Sequence, residues 1–497
     1  MPERVLGIDI GTTGVRAAVF EPTGEMIADA SLSCPHDSPQ PGWAEMRAEA
    51  WWRITQRLCE DLKSRGIALA DLAAIAVTGQ APTAVLVDAN YQAVRPALLW
   101  LDTRAATQAA ALKVHAYYLG PKLQWIARHE PDALARTKYI LQSHAFVAHR
   151  LTGEAATDPS TAALCLPLFD LAARRWDPSA CASVGVAPNQ LPPIRRAHDV
   201  LGEVTRSAAA ATGLREGTPV VVGGGDFAAA TLGAGVVAEG EACLMLGTAG
   251  NILVPRKTPG TDPRLINSHH VGADLWLSLG GTLSGGAQEW LRHALARRAS
   301  GEDTAVRGAL PSFEALEAEA ASVDPGADGL LCLPYLQGER TPIWDTDARG
   351  IFIGLGLHHG RGHLWRALLE GIALGFVDCQ QILESAGVRL RGVVAANGGG
   401  KSALFRQILC DALGVPLSYT PQGGGTVAGA AILAALGVKL LPDANEAKSW
   451  RGSTLRHEPD PVAGARYREL LGVRREVYSG VKSVFPVLAR FRSPDPE

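Results

Sequence analysis

Ile10-Gly11-Thr12-Thr13-Gly14 and Leu246-Gly247-Thr248-Ala249-Gly250 repeat one pattern almost half a chain apart: an apolar run, a Gly/Thr turn, and a second apolar run. A turn this tight between β-favouring residues folds the chain back as a hairpin, because glycine reaches backbone conformations that other residues avoid. Val5–Ile10 and Val15–Phe20 flank the first turn, and Pro22-Thr23-Gly24 leads on into Met26–Ala30, so the chain opens as a three-stranded antiparallel meander. Ala242–Leu246, Asn251–Val254 and Trp276–Leu279 make the same beginning again. At 497 residues the chain is too long for one compact core, and the second beginning puts a boundary near 238–242. So short a match leaves two unrelated glycine turns open as a reading beside a true duplication.

Elsewhere the periodicity alternates between helix and strand. Trp51, Ile54, Leu58 and Leu62 fall at helical spacing and predict a helix over Trp43–Ser64. Leu72–Val77 and Ala84–Val87 read as strands around Thr78-Gly79-Gln80-Ala81-Pro82, with helical stretches at Lys122–Arg128 and Ser143–Leu151 beyond. Pro219–Val222 is a short buried strand that runs into Gly223-Gly224-Gly225-Asp226 and then an Ala-rich helix. In the second half, helices over His363–Ser385 and Ala403–Leu413 bracket a strand at Val393–Ala396, which completes an α/β pattern. Arg466–Arg475 carries mixed charge on a helical stretch and reads as a solvated face.

Hydrophobic residues make up 47% and charged residues 20%, enough apolar side chain to fill large cores, which excludes a disordered interaction protein. Lys and Arg number 47 against 50 Asp and Glu, so no overall positive field exists to hold nucleic acid or anionic lipid. The eight cysteines are scattered without a C-x-x-C pair, as expected of reduced thiols in the cytoplasm. Met1-Pro2-Glu3-Arg4 passes into an apolar stretch too brief for a signal peptide, and the apolar run Ala428–Leu436 is about half a membrane span. A cytoplasmic protein without nucleic-acid or membrane partners is the expectation.

Asp9 lies at the end of an apolar strand, directly before a turn whose backbone N–H groups and Thr12 and Thr13 hydroxyls can cradle an anion. A carboxylate beside phosphate donors makes sense when a divalent cation, most simply Mg²⁺, bridges the two. Asp226 follows a glycine run, where small residues let a substrate approach and a carboxylate in a cleft can take a proton from a hydroxyl. Taken singly, either aspartate also reads as the cap of its own turn. Two further motifs mislead. Gly223–Ala228 matches G-x-G-x-x-[GA], but it lies mid-chain and no acidic residue follows at the distance a dinucleotide ribose needs. Asn397-Gly398-Gly399-Gly400-Lys401-Ser402 resembles the end of a P-loop, but Ala395 stands where the first glycine must turn. His269-His270 and His358-His359 lie in loop-like sequence, where surface or hydrogen-bonding roles are expected before metal ligation.

The order of the motifs carries more than any one of them. Asp9–Gly14, Thr78-Gly79-Gln80, Trp100–Arg104, Gly223–Asp226, Leu246–Gly250 and Tyr335–Pro342 succeed one another as in the FGGY carbohydrate kinases. Gly350–Leu355, with His363, Leu364, Ala367 and Glu370, resembles that family's second-domain signature. The resemblance runs nearly end to end and is nearest to the xylulokinase branch. It implies an α/β fold of two actin-like ATPase (ribonuclease H-like) domains, here 1–240 and 241–497, with sugar and catalytic base on the first, ATP mainly on the second, and a cleft between them. By the same resemblance Asp226 is the catalytic base, and Asp9 and Asp226 are the carboxylates at Mg²⁺. Thr12, Thr13 and Arg16 belong to the first phosphate loop, Gly247, Thr248 and Gly285 to the second, and Gly398, Gly399, Gly400 and Ser402 lie beside the adenosine. Gln80, Ala81, Pro82, Trp100, Asp102, Arg104 and Phe227 fall at sugar-binding positions, with Asp226 among them. ATP and Mg²⁺ are the implied cofactors, a small sugar the implied partner, and a homodimer a family-level expectation.

The chain departs from that branch at Ala81-Pro82, in place of Met-His, and at Phe227, in place of Asn, and its stretch between Arg104 and Gly120 is short. Transfer of the γ-phosphate to D-xylulose, giving D-xylulose 5-phosphate, is the leading expectation. Another ketose or polyol (ribulose, erythrulose, a glycerol-like acceptor) is the alternative. A non-catalytic actin-like ATPase switch is the rival from another class, and an aspartate at the base position speaks against it; dinucleotide oxidoreduction is a distant third.

Overall fold

In each half, the strand that ends at the Gly/Thr turn lies inside a seven-stranded sheet, paired antiparallel on one side and parallel on the other. The computed structural model describes residues 3–296, 310–421 and 425–491, so Met1 and Pro2 of the opening lie outside it. The first sheet contains β1 (Arg4–Ile10), β2 (Gly14–Phe20), β3 (Met26–Ser33), β4 (Leu72–Gly79), β5 (Val200–Glu203), β6 (Pro219–Val221) and β7 (Gly224–Gly225). Its order is β5-β6-β4-β1-β2-β3, with β7 lying on the end of β4. The second contains β8 (Glu241–Leu246), β9 (Ala249–Arg256), β10 (Ile266–His269), β11 (Trp276–Leu283), β12 (Gly392–Ala396), β13 (Leu417–Tyr419) and β14 (Leu455–His457). Its order is β10-β11-β9-β8-β12-β13-β14. The echo between the two Gly/Thr turns is therefore a repeat of topology: β1 between β2 and β4 corresponds to β8 between β9 and β12.

This arrangement decides where a ligand can sit. Where the chain leaves neighbouring strands in opposite directions, a crevice opens at their carboxyl ends. Gly11–Thr13, Gln80, Asp226, Gly247-Thr248 and Asn397–Gly400 each follow the last residue of β1, β4, β7, β8 and β12 respectively.

Helices cover the sheets. The stripe Trp51, Thr55, Leu58, Cys59 and Leu62 is the buried face of α1 (Ala48–Ser64). The helix begins at Ala48 rather than Trp43, because Glu45–Met46 pairs as a short strand with Ala97–Leu98 and Arg47 stays extended. Next come α2 (Ser143–Thr152), α3 (Asp226–Gly233), α4 (Gly285–Ala294), α5 (Arg361–Ser385), α6 (Ala403–Leu413), α7 (Gly425–Gly437) and α8 (Pro461–Val481). Trp365, Leu369, Ile372 and Phe376 of α5 anchor the core of the second half. Arg466–Arg475 on α8 is not a wholly solvated face: Tyr467, Leu471 and Arg474 are buried. Arg474 pairs with Asp378 of α5 and donates to the Tyr335 hydroxyl at 2.7 Å, which is what makes burying its charge tolerable.

Although late in the chain, α7 packs on the first half. Val427, Ala430 and Ala431 join the apolar cluster of Val5, Ala74 and Ala228. At the crossing with α3, a Cβ on Gly429 would lie 1.9 Å from the carbonyl oxygen of Ala229, so only glycine allows the two helices this close. All eight cysteines are buried and unpaired. Among the described residues no helix is long and apolar enough to cross a membrane.

Candidate active site

The loop that carries Asp226 is shaped by its first glycine. Gly223 has a φ of +79°, and a Cβ there would lie 1.8 Å from the carbonyl oxygen of Val77. Flattened onto β4, the chain runs Gly224 and Gly225 alongside Thr78 and Gly79 and starts α3 at the carboxyl end of the sheet. Asp226 stands in the first helical turn, and its Oδ1 accepts the Phe227 backbone N–H at 2.7 Å. Loss of hydration pushes its carboxyl up to about 7, against the pull of that hydrogen bond. Asp9, from the end of β1, is pushed up to about 8, first by burial and then by the charge of Asp226. The Thr78 hydroxyl, 3.4 Å from Asp9 Oδ1, and Arg16 pull the other way. Arg16 spends its guanidinium on Asp29 at 2.8 Å, so among the described residues neither Asp9 nor Asp226 has an ion-pair partner. Two carboxyls with raised proton affinity, one of them raised in part by the charge of the other, are a donor set that fits a divalent cation.

On one side of this pair lie the residues expected to hold a sugar. Gln80 is fully buried, its amide oxygen without a partner and its Nε2 3.4 Å from the Gly11 carbonyl. The Ala81-Pro82 bond is cis, and the Ala81 carbonyl accepts the Tyr117 hydroxyl at 3.2 Å. Trp100 Nε1 donates to Thr12 Oγ1 at 3.0 Å, tying this side to the first Gly/Thr turn. Phe227 packs into an apolar cluster with Ala81, Leu164 and Val271. Asp102 and Arg104 differ from the expectation. Asp102 is buried and spends its oxygens on the Arg104 guanidinium (2.7 Å) and the Ala44 N–H (2.8 Å), while Arg104 stacks 3.5 Å over Trp43 and also pairs with Glu45. The pair braces the chain two residues from Trp100 and offers no free carboxylate to a ligand.

On the other side, Gly247 and Thr248 turn against the start of α4. Gly285 N–H donates to the Gly247 carbonyl at 2.9 Å, and a Cβ on Gly285 would lie 2.7 Å from that oxygen. Gly399 approaches Leu246 just as closely, which joins the second Gly/Thr turn to the loop after β12. A cavity of about 330 Å³ opens beside that loop, lined by Arg16, Asn397, Gly398, Lys401, Tyr419 and Gly425. Thr13 is exposed at the first turn. The Ser402 hydroxyl accepts the Phe405 N–H at 3.0 Å and so caps α6 instead of facing the cavity as expected.

Tyr117 and Arg340 were not singled out from sequence, yet both stand in the cleft. The Arg340 guanidinium carbon lies 5.3 Å from the Trp100 ring and 5.7 Å from the Tyr117 ring. Burial holds the Tyr117 phenol protonated well above the usual range; Arg340 opposes this and the charge of Asp226 adds to it, which puts both groups near its hydroxyl. Arg340 had a signal in the Tyr335–Pro342 motif, whereas Tyr117 had only an aromatic pair before Gly120. His115 stacks on Trp344 at 3.6 Å, another contact between the halves.

The histidines resolve into structural roles. His269 and His270 are buried rather than on the surface, and each binds a backbone carbonyl, of Leu171 at 2.9 Å and of Val236 at 3.1 Å. Asp328, His358 and His359 bring ligand atoms within 4.8 Å of one another. Both His359 nitrogens are already engaged, by Gly356 N–H at 2.8 Å and Asp328 O at 3.2 Å.

Gly/Thr turns at equivalent strand ends of two topologically equivalent halves, with two carboxylates at the carboxyl ends of the first sheet's strands, are the parts a phosphotransferase site needs. The chain matches the N-terminal domain model of the FGGY family of carbohydrate kinases over residues 4–233 and the C-terminal domain model over residues 242–438. It is 31% identical to the xylulose kinase of Escherichia coli (strain K12), over 97% of this chain and 100% of that one. It is 29% identical to the xylulose kinase of Bacillus subtilis (strain 168), over 98% and 99% respectively. The crystal structure of xylulose kinase from Rhodospirillum rubrum matches with a TM-score of 0.85 at 33% identity, over 97% of this chain and 100% of that one. The chain belongs to the FGGY family of carbohydrate kinases, and it is a sugar kinase with ATP as phosphoryl donor.

Proposed function

We propose that the enzyme transfers the γ-phosphate of ATP to a terminal hydroxyl of a pentulose, D-xylulose before others, with Asp226 as general base. Similarity to two xylulose kinases over nearly the whole chain supports the acceptor class. The observation that carries the mechanism is that Asp9 and the strand leading to Asp226 both pair at Thr78, at the carboxyl end of the first sheet, where the charge of Asp226 acts on Asp9. Asp226 takes the proton of the acceptor hydroxyl as its oxygen forms a bond to the γ-phosphorus. The bond from that phosphorus to the bridging oxygen breaks, ADP leaves, and the proton passes from Asp226 to water. Thr12, Thr13, Gly247 and Thr248 cradle the phosphates, and the loop Asn397–Gly400 borders the adenosine. Asp9, with Asp226 beside it, is the site for Mg²⁺, which when bound neutralises charge on the phosphate oxygens. The division of labour follows residues 1–240 and 241–497, with α7 of the second part docked on the first. Closure of the cleft excludes water and so limits transfer to solvent.

A second acceptor is favoured by one feature. Ala81, Pro82 and Phe227 offer the sugar no side-chain hydrogen bond, and hydroxyls left unpaired in a closed site are costly. An acceptor with fewer hydroxyls, such as erythrulose or a glycerol-like polyol, fits such a wall better than a full pentulose. ADP release from Mg²⁺-ATP across ketoses, aldoses and polyols decides between them, with Asp226→Ala as control. Turnover confined to one or two acceptors and lost in the variant is expected; no stimulation by any acceptor, with ATP still bound, overturns the proposal. A homodimer, on the family resemblance, and a cytoplasmic setting, on the scattered unpaired thiols, complete the reading.

A further inference from the structure

Arg340 leaves the second half of the chain and ends over the first. Its turn is held firmly. Glu339 is buried, its Oε1 accepts the Arg340 N–H at 2.9 Å, and its Oε2 accepts the Thr282 hydroxyl at 2.6 Å. The Glu339 backbone exchanges hydrogen bonds with Asp345 at 2.8 and 2.9 Å, and the Thr341 hydroxyl donates to the Gly281 carbonyl at 3.1 Å. All of this fixes the backbone and leaves the guanidinium free. Among the described residues no carboxylate lies within ion-pair distance of it, and its neighbours are the rings of Trp100 and Tyr117. A cation partly withdrawn from water over two aromatic faces, without an anion, is arranged to receive one.

The two rings mark where that anion stands. Trp100 donates through its other end to Thr12 of the first Gly/Thr turn, at 3.0 Å. Tyr117 has a hydroxyl within the field of Asp226. Arg340 is thus suspended between the turn that cradles the donor phosphates and the carboxylate that faces the acceptor.

We propose that Arg340 is a catalytic residue that binds the transferring phosphoryl group, reaching it from the ATP-side half across the closed cleft. The proposal rests on the kinase reading above. In the transfer itself, the phosphorus exchanges its bond to ADP for a bond to the acceptor oxygen and the hydroxyl proton goes to Asp226; Arg340 gains and loses nothing. Its planar fork matches the oxygens over which charge spreads at that moment, a match lysine cannot reproduce.

The test is steady-state ADP release by wild type, Arg340→Ala and Arg340→Lys, with guanidinium ion added to Arg340→Ala. The alanine variant is expected to lose kcat by about 10²–10³-fold, the usual cost of removing one charge-stabilising group, with both KM values near wild type. Lysine restores little, and added guanidinium restores part of kcat, saturably, in the alanine variant and not in wild type. A raised acceptor KM with unchanged kcat would make Arg340 a ground-state sugar contact and overturn the proposal. A lost kcat with a lowered melting temperature and no rescue would make it a structural latch, and would overturn the proposal equally. Wild-type kinetics in Arg340→Ala overturns this inference alone, whereas a wild type without acceptor-dependent turnover overturns the kinase reading with it.

Discussion

Replacing Gly429 by alanine puts a methyl group 1.9 Å from the carbonyl oxygen of Ala229. Carbon–oxygen contacts settle near about 3.3 Å, so α7 and α3 must part by roughly 1.4 Å at that point. The helices cannot tilt easily about the crossing, because Gly233 and Gly425 touch equally closely at its far side, where a Cβ would lie 2.1 Å from the Gly425 carbonyl oxygen. The displacement therefore passes into α3, whose first residue is Asp226. A shift of about 1 Å at a reacting group costs about 10²-fold in rate, and overpacking costs about 1–3 kcal/mol of stability. Gly429→Ala is expected to lose kcat by about 100-fold at saturating ATP and acceptor, measured by ADP release, and to melt several degrees lower by circular dichroism. Gly472→Ala is the control. It lies inside α8 with nothing within 4 Å of a Cβ, so kcat stays and stability holds or rises by up to about 1 kcal/mol. Full activity in Gly429→Ala at a lowered melting temperature would show that the strain relaxes away from α3 and refute the coupling of this crossing to the base. Full activity at an unchanged melting temperature would refute the close approach itself.

Trp100→Phe keeps an aromatic face for Arg340 but removes the N–H that Thr12 accepts. A lost hydrogen bond of about 0.5–1.5 kcal/mol raises the KM for ATP by roughly 2–10-fold with kcat little changed; an unaltered KM would mean the first turn needs no tie to the sugar side. Burial pushes the His270 imidazole down to about 4 and that of His144 to about 3, whereas both would protonate near 6.5 when unfolded. As pH falls below about 6.5 the unfolded chain takes up protons that the folded one refuses, so stability drops toward about pH 4, while above about pH 7 neither histidine adds slope. His270 alone contributes on the order of 3 kcal/mol of that loss. Between pH 7.5 and 5 the raised carboxyls of Asp9 and Asp226 act in the opposite sense, so the readout is the difference: the melting temperature of His270→Gln should rise relative to that of wild type as pH falls, and a pH-independent difference would rule out this contribution.

Misread residues share a cause. Arg466–Arg475 looks solvated because its charges are visible and their partner is not: Asp378, which Arg474 and Arg475 both reach, lies on another helix. Asp102 and Arg104 look like sugar contacts because they are polar and fall within a family motif. Only the folded chain brings Trp43, Ala44 and Glu45 against them and engages both Asp102 oxygens, with one Arg104 nitrogen left unpartnered. Ser402 reads as part of a nucleotide loop and as a helix cap with the same letters, and the structure selects the cap. Arg340 was legible as a member of Tyr335–Pro342, but its meaning depends on two rings some two hundred residues earlier.

What the amino-acid order determines by itself is local. The period of the apolar residues sets the strands, helical spacing sets α1 and α5, and a glycine such as Gly223 marks where the chain must turn and lie close, because these effects act within a few residues. The position of Asp226 after a glycine run and of Asp9 before a turn belongs to the same class. The tertiary structure decided that the charge of Asp226 acts on Asp9, that α7 returns to the first half, and that Arg340 stands without a carboxylate partner over Trp100 and Tyr117. Desolvation and charge coupling depend on which distant segments the packed sheets bring within a few ångströms, and no local pattern encodes that distance.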